Sequence, residues 1–497
     1  MTKNNSYTSI EVAKDGSPIP VSGAIFLHSR YNPQKEALAF AQQFKNEPED
    51  VPFDFFVIYG IAGGYHIAAI AERFPQATII AIEADEESLQ FIAPIPCVQR
   101  LQNTPNIYFA TVNTVSETLK QLFQPAAHTK LTTATLRSWE SCFPETQAQA
   151  QAQVQSALKE ISADFSVQSH FGGIWQRNIF MNLSLISKMQ KSKGSYCHFF
   201  KAPPAKKAAI IAAGPSLDDR IPELKEKRSD YYIIATDTAY HALLSRKIVA
   251  DACVSVDAQQ ISHAHFFNAQ PSTLFIFDIS ANPAAIRTVA KKGAHLMLVE
   301  TGHPLAAFAS HIYGDEGCFA HIETGSGTVT IAAASFAIQA GFTDIVFFGA
   351  DFAYQNGKPY TKGCYLDTTY AEKSVRTNPL ELAFSRLMFR TALEPTKTGM
   401  TTALLTSYKA SLKKFMMQAG YADFSDQQYK THKNSQVLST RPFDFSRFQT
   451  LFRASHQQTS LLPFIAWLKR KYPKSTYKEI LSLAQRKSLV YTYEDET

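Results

Sequence analysis

The sequence has little excess charge and few cysteines, and these shortages exclude several classes of protein. Its 497 residues include 49 basic and 43 acidic side chains, for a net charge of +6. Because this excess is small and dispersed along the chain, we expect no nucleic-acid partner. The six cysteines are widely spaced and form no CxxC pair, which indicates free thiols. No metal site is therefore predicted.

Long apolar runs are lacking too. A membrane-spanning helix needs roughly 20 consecutive apolar residues. The best candidate, 329–350, is interrupted by Gln339, Gly341, Thr343 and Asp344. The amino-terminal stretch lacks the apolar core of a secretory signal. We therefore expect a cytoplasmic protein with no membrane span.

The chain length suits about three domains, and its patterns divide it into four regions. These are a Rossmann-like domain at 1–145, a helical linker at 146–200, a central domain at 201–375 and a helical carboxyl-terminal region at 376–497. Within the last region, helices are predicted at 380–394 and 401–419, and a basic helical tail is predicted at 459–489. The linker is predicted from the Gln/Ala-rich tract 146–160, which favours helix but shows no regular apolar stripe.

A glycine-rich turn lies within the first region. From 53 to 112 the pattern predicts strand, helix, strand, helix and strand, with Gly60, Gly63 and Gly64 at the first turn and Glu83 about 20 residues later. This outline is typical of half of a nucleotide-binding fold, but the Gly-x-x-Gly-Gly spacing matches no standard fingerprint. A cofactor site and a turn that needs glycine for steric reasons both fit.

The central region predicts a mostly parallel α/β sheet with helices on both faces. Its apolar strand candidates each lead into a glycine or a carboxylate: Gly214, Asp237, Asp257, Asp278, Glu300 and Asp351. Parallel strands bring their carboxyl ends to one edge of the sheet, and open α/β sheets bind ligands at that edge.

Two turns at this edge are suited to an anion. The stretch AAIIAAGPSLDD places Gly214, Pro215 and Ser216 after a buried strand, with Ser216 at a helix N-cap position. A capped turn without a ligand explains that stretch equally well. A second turn, with Gly325, Ser326 and Gly327 before an apolar helix, favours the anion-binding interpretation. No Lys follows in the manner of a P-loop.

A helix is predicted upstream of the sheet. The stretch FGGIWQRNIFMNLSLI has apolar residues at helical spacing and Asn178 and Asn182 four residues apart. A packing helix with its polar residues facing outward is the simpler interpretation.

Several of these stretches resemble a known family. AAGPSLDD, DTAYHALL, VSVDAQ, GSGTVT and GADFAYQNGKPY are similar to the bacterial motility accessory factors, which are flagellin glycosyltransferase-like proteins. Their central domain is shared with MptE-like 6-hydroxymethylpterin diphosphokinases. LHSRYNPQKEA (27–37) and WQRNIFMNL (175–183) also resemble the motility factors, and GPSL and GSGTVT resemble bacterial sialyltransferases that use a cytidine-monophosphate (CMP) sugar.

The resemblance implies a nucleotide site at the predicted edge. Its residues would be Gly214, Pro215 and Ser216 beside the phosphate, Asp237 and Asp257 near the ribose or base, and Gly325, Ser326 and Gly327 from the second turn. Tyr354 and Tyr360 would assist departure of the phosphate. The sialyltransferases place a catalytic His after this segment, whereas no His occurs here between His321 and His432. Asp351, at a strand end, is therefore the candidate general base, and a role limited to capping the following turn is the alternative.

Three functions follow as hypotheses. The first is transfer of a nonulosonic, sialic-like sugar from a CMP donor to Ser or Thr of flagellin, with no cofactor required. The second is transfer of diphosphate from ATP with Mg²⁺ to a hydroxymethylpterin, for which Asp257 and Asp351 are the candidate metal ligands. The third is a non-catalytic flagellin-binding factor.

Overall fold

The computed structural model describes residues 6–44, 54–190, 196–204, 206–315, 317–325, 327–425, 427–431, 438–454 and 459–490. The chain forms two compact units, Met1–Gly172 with Leu462–Ile480 and Gly173–Leu461 with Leu481–Thr497. No helix within the described residues is long and apolar enough to cross a membrane.

The first unit begins with seven strands in its described part. They are β1 (Ser9–Val12), β2 (Pro18–Ser22), β3 (Ile25–Phe26), β4 (Phe55–Tyr59), β5 (Thr78–Glu83), β6 (Ile107–Thr111) and β7 (Leu131–Thr135). The helices are α1 (Pro33–Ala41), α2 (Tyr65–Arg73), α3 (Glu86–Ile92), α4 (Pro96–Gln102), α5 (Val115–Leu122), α6 (Arg137–Cys142) and α7 (Pro144–Met189), the last of which continues into the residues of the second unit.

The core of the first unit is a parallel sheet in the order β6-β5-β4-β7. All five residues of β4 are buried, as expected of a parallel strand covered on both faces. The predicted alternation of strands and helices is confirmed with one change. Two helices, α3 and α4, stand where one was predicted, because Pro94 and Pro96 interrupt the helical segment.

The Gln/Ala-rich tract lies within α7 and has an apolar stripe after all. Ala150, Val154 and Ala157 are buried in the core of the first unit. Their spacing of four and then three residues places them on one helix face. The stripe was missed because two of its three members are alanines in a tract where alanine is frequent.

The second unit follows with thirteen strands in its described residues. They are β8 (Phe199–Phe200), β9 (Lys207–Ile211), β10 (Tyr231–Thr236), β11 (Ala252–Ser255), β12 (Leu274–Asp278), β13 (His295–Glu300), β14 (Ala320–His321), β15 (Asp344–Phe348), β16 (Glu394–Pro395), β17 (Met400–Thr401), β18 (Ala422–Ser425), β19 (Gln428–Lys430) and β20 (Leu438–Ser439).

Its helices accompany these strands, and the last two helices of the chain follow them. They are α8 (Leu217–Glu226), α9 (Asp237–Ser245), α10 (Pro283–Lys291), α11 (Pro304–Ser310), α12 (Val329–Gln339), α13 (Tyr365–Ala371), α14 (Leu380–Met388), α15 (Ala403–Gln418), α16 (Phe445–Ala454), α17 (Leu462–Lys471) and α18 (Tyr477–Ser488). A 3₁₀ helix covers Gln260–Phe266, and a short one covers Thr459–Leu461.

The described residues of the second unit form a nine-stranded sheet in the order β14-β13-β12-β11-β10-β9-β15-β19-β18. Strands β9 to β15 run parallel, and β19 and β18 add an antiparallel edge. The predicted mostly parallel sheet is confirmed. Because β9 lies between β10 and β15, the polar residues that follow these three strands share one edge.

The carboxyl-terminal region contains the predicted helices with altered boundaries. The helix predicted at 380–394 ends at Met388, and Glu394 and Pro395 form strand β16, since helix is disfavoured at a residue that precedes proline. The basic tail predicted as helical over 459–489 is divided into α17 and α18, with Pro473 between them.

Candidate functional site

A cavity of ≈ 210 Å³ opens at the carboxyl edge of the second unit's sheet. The residues that line it include Gly214, Thr236, Thr330, Asp351, Tyr354 and Tyr360. Four of these were singled out from the sequence for a nucleotide site. The cavity lies between the turn after β9, the first turn of α12 and the segment after β15.

The Gly214 turn packs tightly against the end of β15. The Gly214 amide donates to the Gly349 carbonyl at 2.8 Å. A Cβ on Gly214 would lie 2.4 Å from that same oxygen and 2.5 Å from Oδ2 of Asp351. Glycine is therefore required here by the protein's own backbone, whatever ligand the turn holds.

Ser216 and Asp351 connect the two loops. The Ser216 amide donates to Asp351 Oδ2 at 2.8 Å, and the Ser216 hydroxyl donates to Oδ1. Ser216 precedes α8, as predicted, but its hydroxyl does not cap the helix, because the Asp351 carboxylate competes for it. Both oxygens of the predicted base thus already accept hydrogen bonds.

The segment with Tyr354 and Tyr360 is fastened at both ends. The Tyr354 amide donates to the Met400 carbonyl at 2.6 Å, and the Thr361 amide donates to the Ala213 carbonyl at 2.8 Å. Burial raises the pKa of Tyr360 to about 12 and also raises the pKa of Tyr354. Both phenols are therefore protonated near neutral pH and can donate hydrogen bonds.

A polar network missed by sequence reasoning holds this segment against α8 and α9. The Thr361 hydroxyl donates to Asp218 Oδ1 at 2.5 Å, and the Arg246 guanidinium donates to the same oxygen. Arg246 also donates to the Lys362 carbonyl at 2.6 Å. No local motif indicated the partner of Arg246, because Asp218 is remote from it in the sequence.

Asp237 and Asp257 lie at the ends of the neighbouring strands β10 and β11. Asp237 is buried, and its carboxylate accepts from Ser255 Oγ at 2.7 Å and from the Thr238 amide at 2.7 Å. Asp257 is partly exposed and accepts from the Gln259 amide at 2.9 Å. Burial, with a smaller contribution from the Asp237 charge, raises the pKa of Asp257.

The second glycine turn precedes α12. Gly325 and Gly327 have φ angles of 54° and 86°, in the region that favours glycine. Thr328 caps the helix by accepting from the Ile331 amide at 3.2 Å. Thr330, in the first turn of the helix, lines the cavity, whereas Gly325 and Gly327 do not. Ser326, also predicted to contact the nucleotide, lies outside the described residues. In the Gly214 turn, the predicted contact residue Pro215 is buried.

A histidine that the sequence gave no reason to select lies beside Asp237. His265, on the 3₁₀ helix after β11, is 5% exposed, and its Nδ1 is buried without a hydrogen-bond partner. Its ring centroid is 4.3 Å from that of Tyr365, with the rings edge to face. The family resemblance places a catalytic His after the second glycine turn, whereas His265 precedes that turn in the sequence.

Asn178 and Asn182 face inward, against the simpler interpretation of the sequence. The Asn182 amide donates at 2.8 Å to the carbonyls of both Ile279 and Ala281. Asn178 likewise donates to the Ala258 carbonyl, and both side chains are fully buried. The two amides hold the loops that follow β11 and β12.

The carboxylates that end β12 and β13 are engaged in local contacts. Asp278 accepts from the amide and hydroxyl of Ser280, and burial raises its pKa to about 6. Glu300 accepts from the Gly302 amide at 2.8 Å and pairs with His321 at 2.6 Å. Within the described ranges, no group of three or more His, Cys, Asp or Glu side chains is placed to hold a metal ion.

The glycine turn of the first unit is filled by the protein itself. A Cβ on Gly60 would lie 2.5 Å from the Trp139 ring. Glu83 is fully buried and accepts hydrogen bonds from Trp139 Nε1 at 2.6 Å, from the Tyr7 hydroxyl at 2.9 Å and from backbone amides that include Ala84. Of the two interpretations of this turn, the steric one agrees with these contacts. A cavity of ≈ 560 Å³ among α1, α2 and α4 is lined by neither Gly60 nor Glu83.

Parts of the chain are similar to known proteins. The family model described as 6-hydroxymethylpterin diphosphokinase MptE-like matches residues 177–357. An uncharacterized protein of Treponema pallidum (strain Nichols) is 36% identical over 236 residues, which cover 44% of this chain and 77% of that protein. A second uncharacterized protein of the same strain is 32% identical over 168 residues, covering 33% and 75%.

A solved structure has a similar fold. The MAf glycosyltransferase from Magnetospirillum magneticum AMB-1 aligns with a TM-score of 0.52 and 13% identity, over 97% of this chain and 87% of that chain. The MptE-like match and this fold together confirm the resemblance to the motility accessory factors and MptE-like proteins. The resemblance to sialyltransferases stays a prediction.

Proposed function

We propose that this chain is a motility accessory factor-like glycosyltransferase. The premise is that it belongs to one family with the two Treponema pallidum proteins and has an MptE-like central domain. Its donor would be a CMP-activated nonulosonic sugar and its acceptor a Ser or Thr hydroxyl of flagellin. The observation that carries this proposal is the cavity that unites the Gly214 turn, the start of α12 and two protonated tyrosines.

The chemistry of a CMP donor suits those groups. The bond between the anomeric carbon and the phosphate oxygen breaks, and the electron pair leaves with CMP. An acceptor oxygen forms the new bond to that carbon and loses its proton. Negative charge therefore develops on the phosphate, where the first amides of α12 and the hydroxyls of Tyr354 and Tyr360 would stabilise it. The prediction that Asp351 takes the acceptor proton stays a prediction.

The rival diphosphokinase would require Asp257 and Asp351 to share Mg²⁺. Asp257 follows β11 and Asp351 follows β15, and β10 and β9 lie between these strands. Three steps of about 4.8 Å separate the two strand ends by roughly 14 Å. Carboxylates that bind one Mg²⁺ lie about 2.1 Å from the ion. This separation is the reason why we favour sugar transfer.

Nucleotide binding with and without EDTA tests the proposal. CMP at 100 times its dissociation constant should add about 2.7 kcal/mol of stability, and we expect the same thermal shift with EDTA present. CMP release from CMP-N-acetylneuraminic acid in the presence of unmodified flagellin then tests transfer. Binding of ATP that requires Mg²⁺, with no effect of CMP, would support the diphosphokinase. Binding of flagellin without any nucleotide effect would support the non-catalytic factor.

A further inference from the structure

The residues around Asp237 form a second polar cluster beside the cavity. Its members are Asp237, Asp257, His265 and Tyr365. Asp237 lies between Thr236 and Thr238, which both line the cavity, and the rings of His265 and Tyr365 are in contact. The charge of Asp237 also acts on the pKa values of Asp257, His265 and Tyr365. Tyr360, which lines the cavity, likewise interacts with Tyr365. The cluster thus lies on the β10 and β11 side of the cavity, away from the Ser216–Asp351 pair.

The other members of the cluster are hydrogen-bonded within the protein or are partly exposed to solvent, and His265 differs from them. Asp237 is occupied by Ser255 and Thr238, and Asp257 is partly exposed. His265 is 5% exposed and its Nδ1 has no partner. A buried polar atom without a partner costs roughly 1–3 kcal/mol. Such a cost is typical of a functional position, where a substrate group supplies the missing contact.

We infer that His265 is the general base that accepts the proton of the acceptor hydroxyl, with Asp237 as its electrostatic partner. This inference rests on the proposed glycosyl transfer. The acceptor oxygen forms its bond to the anomeric carbon, its proton moves to a ring nitrogen of His265, and the electron pair of the broken bond leaves with CMP. The resulting imidazolium is stabilised by the buried Asp237 carboxylate.

The surroundings of His265 support this role. Burial lowers the pKa of His265, while the Asp237 charge raises it and the neighbouring His241 lowers it. The net effect leaves the imidazole neutral at pH 7, so a ring nitrogen has a free lone pair. The phenol of Tyr365, whose pKa is raised by burial, lies against the ring and remains protonated. A neutral imidazole beside a buried carboxylate is a usual arrangement for a general base.

The chain offers a matched control on the same 3₁₀ helix. His263 is partly exposed, and its Nε2 is 2.7 Å from the Thr288 hydroxyl, so its ring has a structural partner. We expect His265→Gln to lower kcat for CMP release with flagellin by about 100-fold or more, the usual effect of removing a general base. His263→Gln should stay within about twofold of wild type, and both variants should bind CMP as wild type does.

Two further measurements separate catalysis from structure. Imidazole added to His265→Gly should restore part of the lost kcat if the ring acts as a base. The wild-type kcat should fall at acidic pH with an apparent pKa below the usual 6.5 of His, and this measurement needs no variant to fold.

The outcomes are distinguishable. Wild-type protein that releases no CMP overturns the proposed function and this inference with it. If wild type is active, His265→Gln with kcat within tenfold of wild type, or a wild-type kcat that is constant from about pH 4.5 to 7.5, overturns the inference alone. Loss of kcat in His265→Gln with unchanged CMP affinity, and rescue of His265→Gly by imidazole, support it.

Discussion

Removing the charge of Asp351 should destabilise the second unit. Its carboxylate accepts two hydrogen bonds from Ser216, one from the amide at 2.8 Å and one from the hydroxyl. Asparagine keeps a single carbonyl oxygen, so at least one of these bonds loses its acceptor. Hydrogen bonds to charged groups contribute about 1.5–3 kcal/mol. Because Asp351 is partly exposed, we expect Asp351→Asn to cost about 1.5 kcal/mol.

Thermal and urea unfolding would measure this loss. For a unit of roughly 300 residues, an unfolding entropy of about 2.1 cal/mol/K per residue converts a loss of about 1.5 kcal/mol into a fall in Tm of roughly 2 °C. Ser216→Ala is the control, since it removes only the hydroxyl bond. The double variant should cost less than the sum of the two single variants, because both remove the same contact.

One pattern would refute this reasoning. If Asp351→Asn unfolds at the same denaturant concentration as wild type while sugar transfer falls by about 100-fold, the carboxylate is the base predicted from the sequence rather than a link between two loops. Additive costs in the double variant would also count against the link.

Three other changes test different parts of the structure. Tyr360→Phe should lower kcat for CMP release by about 100-fold, because one donor to the developing anion is lost. A kcat equal to that of wild type in steady-state kinetics would remove this hydroxyl from the mechanism. Asn182→Ala leaves the buried carbonyls of Ile279 and Ala281 without their donor. It should lower the free energy of unfolding in urea by about 2–4 kcal/mol, and a loss below about 1 kcal/mol would contradict the inward-facing amide. Burial raises the pKa of Asp278 to about 6 from 3.8, so the folded state holds this proton more tightly than the unfolded state. Its contribution to stability is complete below about pH 4 and is lost as the pH rises through about 6. Asp278→Asn should therefore remove this fall in the free energy of unfolding between the two pH values. An unchanged fall would assign it to another group.

The parallel strands of the central sheet could be predicted because each is a short apolar run that ends in glycine or a carboxylate. The same rule placed Gly214 and Asp351 at one edge, the family resemblance added Tyr354 and Tyr360, and all four line the cavity. What a buried side chain contacts could not be predicted. Asn178 and Asn182 have a spacing that fits an exposed face equally well, and only the tertiary structure places carbonyls opposite them.

His265 illustrates the same limit at the candidate site. Its position on a short 3₁₀ helix has no periodic signature, and its neighbours Asp237 and Tyr365 are 28 and 100 residues away in the sequence. The Arg246–Asp218 pair was missed for a similar reason, since 28 residues separate its members. Local patterns predict elements, whereas pairs of this kind depend on which elements become neighbours.

The packing of Trp139 against Gly60 leaves no space for a ligand at the glycine turn of the first unit. The turn after β9 in the second unit has a cavity beside it. Where an adenosine ribose would approach an acidic residue in a dinucleotide-binding fold, Glu83 is already bonded to an indole and a phenol of the same unit. A ligand could reach that carboxylate only by displacing a fully buried tryptophan. If the second unit binds a nucleotide as proposed, calorimetric titration should therefore give one nucleotide per chain, and a stoichiometry of two would show that the edge of the first unit also binds one.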